Sequence, residues 1–344
     1  FAAALIVLSL LTSAATRSKK SEISRNLDIF NSLYKELQTF YVDSIDAEKS
    51  INIAIAAMLN DIDPYTEYIP AKDQEQFRTM TTGEYGGIGS VIQETPRGVI
   101  IADPYEGSPA QRAGLRPGDL IVMIDSDSVA GWKSAKVSEH LKGQNGTMLR
   151  VLVNRPYVSD SMLSFDIKRA KIQIPSVPYY GMLKDGIGYI SLNTFSEKSY
   201  PEVRDALEKL TKEGAKGIVL DLRGNGGGLV ESAVQILGLF LPKGTTVLNT
   251  RGKGVLNEKV YKTSVSPVDT KIPLAVLIDG ASASASEIVT GAIQDLDRGV
   301  VIGNRSFGKG LVQSTRQLPY DGLLKVTIAK YYIPSGRLIQ AIDY

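Results

Sequence analysis

The chain has 344 residues, of which 43% are hydrophobic and 22% charged, so it is long enough for about two or three globular domains of ordinary composition. Its formal net charge of +2 argues against a nucleic-acid-binding surface spread over the whole chain. The chain contains no cysteine, and this absence excludes disulfides, thiolate zinc sites and cysteine nucleophiles. It contains one histidine, His140. Zinc hydrolase sites that need two histidines are excluded too, and a Ser-His-Asp triad would require His140 beside the nucleophile.

The first fifteen residues, Phe1 to Ala15, are almost all apolar and end in small residues before a basic stretch. The run is shorter than the roughly 20 residues that span a bilayer, but it is typical of the end of a signal peptide. We therefore expect residues 1–20 to be a signal-peptide or membrane-anchor remnant. This interpretation predicts that the protein is exported to the cell envelope, where it is either periplasmic or anchored in the membrane and facing the periplasm. An ordinary buried helix is the alternative.

Residues 21–82 are predicted to form an N-terminal helical segment. Apolar residues recur every three or four positions from Ile23 to Phe40 and again from Ile51 to Ile62, which is the spacing of one helical face. Asp63-Pro64 ends the second helix, because the residue before proline is pushed out of the helical region. We expect this segment to serve packing or dimerisation.

Residues 83–169 are predicted to form a compact, partly open β-barrel. Short β-rich runs alternate with glycine turns, and two short helices are expected, one opened by Ser108-Pro109 and the other spanning Trp132 to Leu141. The predicted strands are Gly89–Gln93, Val99–Ala102, Leu120–Ile124, Leu149–Asn154 and Leu163–Ile167.

A glycine-rich run, Gly86-Gly87-Ile88-Gly89, precedes the first of these strands. Its amides could bind the terminal carboxylate of a peptide whose chain adds to the strand edge, although an ordinary glycine turn has the same composition. With Ser108-Pro109-Ala110 and the later run from Ala113 to Asp119, this pattern resembles a PDZ domain. The resemblance implies peptide binding by Gly86, Gly87, Ile88 and Gly89.

Residues 170–344 alternate between strands and helices, which predicts βαβ units and a mainly parallel sheet with a site at the strand ends. Helices are expected near 199–213, 229–240 and 284–296. The predicted strands are Gly188–Leu192, Gly217–Leu222, Thr246–Asn249, Pro273–Ile278, Gly299–Ile302 and Leu324–Lys330, with Leu311–Gln317 also strand-like.

Two glycine-rich loops in this segment favour different ligands. The loop from Asp221 to Gly228 follows a strand and opens a helix, where backbone amides bind anions. Leu229 breaks the dinucleotide fingerprint, so an oxyanion or carbonyl is favoured over a nucleotide. The loop from Gly303 to Gly310 imitates a P-loop, but Gly310 replaces the hydroxyl residue that would hold magnesium, which disfavours an ATPase.

A third loop, from Asp279 to Glu287, joins a strand to a helix. Ser284 and Glu287 form the S-x-x-E pattern of a capping box, and a serine at such a turn can also be an exposed nucleophile beside a free amide. With no histidine nearby in sequence, a buried lysine is the candidate base. Lys309, between Gly308 and Gly310, fits that requirement if desolvation lowers its pKa by roughly three units, about 4 kcal/mol.

Together these motifs resemble the C-terminal-processing, or tail-specific, serine peptidases, in which a PDZ domain precedes a Ser/Lys catalytic domain with crotonase-like ββα units. The resemblance covers about residues 27–344. It depends on motifs that occur in order: Asp61-Ile62-Asp63-Pro64, the PDZ glycines, Asp221-Leu222-Arg223 with Gly227-Gly228, Ser282 to Glu287, Phe307 to Gly310 and Tyr331 to Arg337.

The resemblance implies a nucleophile at Ser284, a general base at Lys309 and a lysine-orienting residue at Gln313. It implies oxyanion donors at Ala285 and Gly227, with Gly228 as the alternative to Gly227. Asp295 matches an acidic position that we interpret as structural. Ser282 and Ser286 are rival nucleophiles. The family uses no metal and no cofactor.

The predicted function is cleavage of proteins selected through apolar C-terminal tails. The sequence leaves open an activator or adaptor protein, a homodimer, and membrane association through the N-terminus. Tyr65-Thr66 and Lys142 depart from the family pattern; we expect Tyr65 to affect packing and not catalysis, and Lys142 to lie where PDZ and catalytic domains connect. A catalytically inactive scaffold that only binds tails is the main alternative.

Overall fold

The computed structural model describes residues 2–156, 162–254 and 258–342, with the side chains of residues 2–20, 75, 76 and 80 left outside the description. The chain forms two compact units, residues 1–64 and residues 65–344. Within the described part of the first unit, the helices are α1 (Ala2–Phe40) and α2 (Ala47–Asn60). Both predicted helices are therefore present.

In the first unit, Asp46 caps α2 by accepting the Lys49 N–H at 2.9 Å, and the hydroxyls of Tyr34 and Ser50 join the two helices at 2.9 Å. The apolar face that the periodicity predicted on α1 is exposed, including Leu27 and Leu33. Among the described residues, no helix has the length and apolar character needed to cross a bilayer. The export prediction concerns side chains outside the described set and stays a prediction.

The second unit begins with a strand and a helix. These are β1 (Glu67–Ile69) and α3 (Gln74–Thr82), and β1 pairs antiparallel with the last strand of the chain through Glu67 and Lys325. The sequence did not predict β1 within the helical segment 21–82, because these three residues pair with a strand that lies far along the chain.

The PDZ region has the predicted strands and helices. The elements are β3 (Ser90–Thr95), β4 (Gly98–Pro104), α4 (Pro109–Ala113), β5 (Leu120–Ile124), β6 (Asp127–Ser128), α5 (Ser134–Leu141), β7 (Met148–Asn154) and β8 (Leu163–Lys168). The six-stranded sheet has the order β3-β4-β5-β7-β8, with β6 paired to β5, and its described strands do not close into a barrel. Ser108 caps α4 and Gly114 ends it in the left-handed region.

Two further strands frame this region. They are β2 (Glu84–Gly87) and β9 (Ala170–Gln173), which pair antiparallel with each other, and the Ile174 N–H donates to the Gly83 carbonyl at 2.7 Å. The chain therefore leaves the PDZ fold beside the point where it enters.

The remaining residues build two sheets. The elements are β10 (Tyr179–Met182), β11 (Ile187–Ser191), α6 (Ser199–Lys212), β12 (Gly217–Asp221), α7 (Val230–Phe240), β13 (Thr246–Gly252), β14 (Lys259–Lys262), β15 (Leu274–Ile278), α8 (Ala285–Asp295), β16 (Val300–Gly303), β17 (Leu311–Gln317) and β18 (Leu323–Tyr332). The first sheet has the order β10-β11-β12-β15-β16 and is parallel except at β10. The second sheet has the order β1-β18-β13-β14, with β17 paired to β18.

The predicted mainly parallel sheet is correct for β11, β12, β15 and β16. It is wrong for the strands predicted at Thr246–Asn249 and Leu324–Lys330, because β13 and β18 pair antiparallel with each other. β13 and β18 also pair antiparallel with β14 and β17, their neighbours along the chain, because such short connections cannot provide the long crossover that parallel strands need. The crotonase-like detail stays a prediction.

The core lies between the parallel sheet and α6, α7 and α8, and it contains fully buried Ile190, Leu220 and Val276 from the strands. Because β12 and β15 are parallel neighbours, the loops that follow them emerge at the same edge of the sheet. That edge carries the glycine loop and the Ser284 turn, where ligands bind in open α/β sheets.

Candidate active site

A half-buried aspartate joins the two loops at this edge. The Asp279 carboxylate accepts hydrogen bonds from the N–H groups of Gly224, Ala281 and Ser282 at 3.0 to 3.1 Å. These bonds, the one from Gly224 foremost, lower the pKa of Asp279, so it is ionised at neutral pH. The loop after β12 is thereby held against the turn that leads to Ser284.

Ser284 occupies a strained turn at the start of α8. Its φ of 54° and ψ of −112° place a residue with a side chain in a region that favours glycine, at a cost of about 1–3 kcal/mol. Ser284 is half-buried, whereas Ser282 and Ser286 are 0% exposed. A serine held in this way at a strand-to-helix turn matches the geometry of a nucleophile elbow.

The two rival serines have structural partners. The Ser282 hydroxyl donates to the Leu222 carbonyl at 2.8 Å, and the Ser286 hydroxyl donates to the Asn225 carbonyl at 2.8 Å. Both hydroxyls therefore anchor the nucleophile turn to the glycine loop, and both are closed off from a substrate.

The glycine loop is shaped by Asn225, which is fully buried. Its side-chain amide donates to the Leu192 carbonyl at 2.7 Å, its Oδ1 accepts the Gly227 N–H at 2.9 Å, and its carbonyl accepts the Ala283 N–H at 3.0 Å. Gly227 has a φ of 101°, and a Cβ there would lie 2.8 Å from the Ser284 Cβ. Only glycine allows the loop to approach the serine this closely.

The predicted oxyanion donors surround Ser284. Ala285 is the first residue of α8, where a backbone N–H has no carbonyl acceptor within the helix. The Gly227 N–H donates to Asn225 in this structure, and Gly228, the alternative, has a φ of 143° and lies against Phe195. The choice between Gly227 and Gly228 stays a prediction.

The Lys309 loop is bound to the Ser284 turn by one carboxylate. Glu287, which is 3% exposed, accepts the N–H groups of Ser284 and Lys309 on Oε2, both at 2.8 Å. Its Oε1 accepts the Ser306 hydroxyl at 2.7 Å and the Gly308 N–H at 2.6 Å. The structure therefore brings the predicted nucleophile and the predicted base into one hydrogen-bonded unit.

Two tyrosines also contact this unit. The Tyr331 hydroxyl lies 3.1 Å from the Ser284 carbonyl oxygen and also bonds the Lys309 carbonyl. Burial and then the Glu287 charge raise the pKa of Tyr331 well above its usual value, so its hydroxyl stays a donor. The Tyr65 ring lies 4.5 Å from Lys309 Nζ, a cation–π distance.

The Tyr65 ring thus lies beside the side-chain nitrogen of the predicted base, and the expectation that Tyr65 affects packing and not catalysis stays a prediction. The residues that sequence reasoning did not place in the site are Asn225, Glu287 as a link to the Lys309 loop, Tyr331 and Tyr65. The departure from the family pattern at Tyr65 was the available signal.

Gln313 and Asp295 lie farther along the same framework. Gln313, on β17, donates through Nε2 to the Thr327 hydroxyl at 3.2 Å, and its role in orienting Lys309 stays a prediction. Asp295 accepts the Ser335 N–H at 2.9 Å and pairs with Arg337 at 2.6 Å. Burial opposes ionisation of Asp295, but the bonds from Ser335 and Arg337 lower its pKa overall. These contacts favour the structural interpretation of Asp295.

The predicted peptide groove lies between β3 and α5. A small cavity of about 30 Å³ there is lined by Ile88, Ile92 and Leu141, with Tyr85 and Lys142 also on its wall. Lys142 Nζ lies 5.4 Å from the Tyr85 ring, so the structure places Lys142 at this groove. The lone histidine, His140, lies on α5, where its ring packs against Trp132.

The four predicted peptide-binding residues belong to two different parts of the backbone. Gly86 and Gly87 pair with β9, whereas Ile88 and Gly89 lead into β3, with Gly89 at a φ of 75°. The carbonyls of Ile88 and Gly89 accept N–H groups from Ala110 and Tyr105, which fixes the loop.

Known protein families and relatives are similar to this chain over both the peptidase and the PDZ regions. Residues 186–343 match peptidase family S41, and residues 100–155 match the PDZ domain. The chain is 34% identical to a carboxy-terminal-processing protease of Bartonella bacilliformis, over 97% of this chain and 77% of that protein. It is 35% identical to a CtpA-like serine protease of Staphylococcus aureus strain N315, over 91% of this chain and 62% of that protein.

Among solved structures, the chain is similar to the photosystem II D1 C-terminal processing protease, with 28% identity and a TM-score of 0.51 over 90% of this chain and 83% of that one. The match to the Bartonella protein covers both the PDZ region and the peptidase region, since it includes 97% of this chain. The chain therefore belongs to peptidase family S41, among the carboxy-terminal-processing serine proteases that carry a PDZ domain.

Proposed function

We propose that the protein is a serine endopeptidase in which Ser284 and Lys309 form a catalytic dyad and the PDZ groove selects substrates by their C-terminal tails. The observation that supports the dyad is the shared Glu287 oxygen, which accepts the N–H groups of both residues at 2.8 Å. Of the three serines in this turn, Ser284 is also the one whose side chain is not fully buried.

The proposed reaction is acyl transfer. A neutral Lys309 amine removes the Ser284 Oγ proton as Oγ attacks the scissile carbonyl carbon, and backbone amides at Ala285 and the Gly227-Gly228 loop stabilise the oxyanion. Lys309 then donates the proton to the leaving amine. Water, deprotonated by the same lysine, then attacks the acyl carbon, and Lys309 returns that proton to Ser284 Oγ as the bond between Oγ and the acyl carbon breaks. No step needs a metal or cofactor.

The PDZ groove supports tail selection through its shape and chemistry. A tail that adds to the edge of β3 would place its last side chain among Ile88, Ile92 and Leu141, which are apolar. Binding the tail near the active site raises the effective concentration of the scissile segment. We also propose export to the cell envelope, based on the apolar run from Phe1 to Ala15. The homodimer, the activator and membrane association stay predictions.

The test is cleavage of a largely unfolded reporter that bears an apolar C-terminal tail. We expect the wild type to cleave it with or without EDTA, and Ser284→Ala and Lys309→Ala to be inactive although folded. Ser282→Ala is the matched control, since it removes a neighbouring hydroxyl with a structural role. Cleavage by Ser284→Ala would overturn the nucleophile assignment, and tail binding without cleavage by the wild type would favour the scaffold alternative.

A further inference from the structure

The Glu287 carboxylate has more partners than helix capping requires. A capping box needs the glutamate to accept only the N–H of the N-cap residue, here Ser284. Three additional donors, the Ser306 hydroxyl and the N–H groups of Gly308 and Lys309, come from a separate loop. If Glu287 only capped α8, the three hydrogen bonds that hold the Lys309 loop would be absent.

The four bonds also account for a buried negative charge. Glu287 is 3% exposed, and an ionised carboxylate without partners would be strongly disfavoured at that depth. Each oxygen accepts two hydrogen bonds at 2.6 to 2.8 Å, the short range expected for charge-assisted bonds. Its place in the first turn of α8, near the positive end of the helix dipole, stabilises the charge further.

The arrangement of the two oxygens has a geometric consequence. Oε2 bonds both the Ser284 N–H and the Lys309 N–H, so one atom sets the distance between the two backbone positions that carry the proposed dyad. Oε1 bonds Ser306 and Gly308 and fixes the direction from which the loop arrives. The Tyr331 hydroxyl joins the carbonyls of the same two residues on another side.

We propose that Glu287 is a positioning residue that sets the spacing of Ser284 and Lys309 through its four hydrogen bonds. The inference rests on the proposed dyad and adds a role to it: Glu287 does not contact substrate. A displacement of about 1 Å between reacting groups can cost on the order of 100-fold in rate, which is the scale of effect expected here.

The test uses Glu287→Gln, which keeps the shape of the side chain but places an NH₂ group against two donors. We expect kcat on the tailed reporter to fall about 100-fold, while KM and tail-peptide binding change little. The melting temperature should also fall, because two buried donors lose their acceptor. Labelling of Ser284 by a fluorophosphonate should slow by a similar factor. Glu231→Gln is the control, since it removes an exposed acid from the first turn of α7.

Further variants separate the possible failures. If Ser284→Ala still cleaves, the proposed function fails; if Ser284→Ala is inactive and Glu287→Gln has wild-type kcat, only the positioning role fails. An equal loss of tail binding and kcat in Glu287→Gln would indicate a purely structural role and overturn the proposal. If Glu287→Gln does not fold, Ser306→Ala removes one Oε1 bond alone, and a several-fold fall in kcat at constant KM is then expected. Wild-type kcat in folded Ser306→Ala would contradict the proposal.

Discussion

The phenolic oxygen of Tyr331 lies 3.1 Å from the backbone carbonyl oxygen of Ser284. Since the same hydroxyl also bonds the Lys309 carbonyl, a strand residue at 1% exposure lies between the two segments of the proposed dyad. Tyr331→Phe removes the hydroxyl and keeps the ring. We expect about a tenfold fall in kcat and a loss of about 1 kcal/mol in the free energy of unfolding.

The neighbouring Tyr332 provides the control for this change. Its ring contacts Arg251 at 4.7 Å, away from the bonds that Tyr331 makes, so Tyr332→Phe should keep wild-type kcat. Kinetics on the tailed reporter and urea unfolding measure both effects. Equal kcat in Tyr331→Phe and Tyr332→Phe would show that the hydroxyl does not support the site.

Gly227 is predicted to tolerate no side chain. A Cβ at this residue would lie 2.7 Å from the Ala283 carbonyl oxygen and 2.8 Å from the Ser284 Cβ, at a φ of 101°. Gly227→Ala should therefore displace the nucleophile turn, lower activity at least tenfold and cost roughly 1–3 kcal/mol of stability. Gly226→Ala, where a Cβ meets open space, should leave both unchanged. Activity assays and thermal melts of the two variants decide the matter, and similar losses in both would contradict the steric argument.

Tail binding is predicted to depend on one face of β3. Ile92 lines the groove cavity, whereas the adjacent Val91 is 43% exposed on the opposite face of the strand. Ile92→Arg places a charge in the apolar groove, so we expect at least a tenfold weaker affinity for a fluorescent tail peptide. Val91→Arg adds the same charge outside the groove and should bind normally. Fluorescence anisotropy measures both, and indistinguishable affinities would remove this groove as the tail site.

Asp295 should make stability depend on pH. Its pKa is lowered in the folded protein by Ser335 and Arg337 despite burial, so the carboxylate stabilises the fold above the unfolded pKa near 3.9. This contribution is lost as the pH falls through the lower folded pKa. We expect Asp295→Asn to cost roughly 1 kcal/mol at pH 7 and much less at pH 3.

Urea unfolding midpoints at the two pH values measure this difference. Asp297→Asn, which replaces an exposed acid near the same helix end, is the matched control. An Asp295→Asn penalty that is the same at pH 3 as at pH 7 would mean that the ion pair with Arg337 does not contribute.

The local patterns were sufficient to predict most elements. Pro109 and Gly114 bound α4 as expected, and the strand at Leu120–Ile124 has its predicted ends. The capping pattern of Ser284 and Glu287 also indicated the reciprocal contact on the Ser284 N–H. These features depend on residues a few positions apart, and their signals are therefore present in a short window of sequence.

Contacts between distant segments were not predictable in this way. The Tyr65 ring meets Lys309, and Tyr331 meets Ser284, only because β18 pairs with β1 on one side and β17 on the other. No periodicity in the sequence marks such a pairing. The same limit explains why β13 and β18 were assigned to the wrong sheet, since their strand character was clear and their partners were not.

The hydrogen bond between Ile174 and Gly83 has a consequence for how the PDZ module is carried. The PDZ module begins and ends at two hydrogen-bonded strands, β2 and β9, so its two ends lie side by side. A domain whose ends are adjacent can be inserted where a short turn would otherwise connect the chain, without moving the flanking peptidase residues apart. The paired strands form a tether of fixed length, so any swing of the module must bend both strands at once.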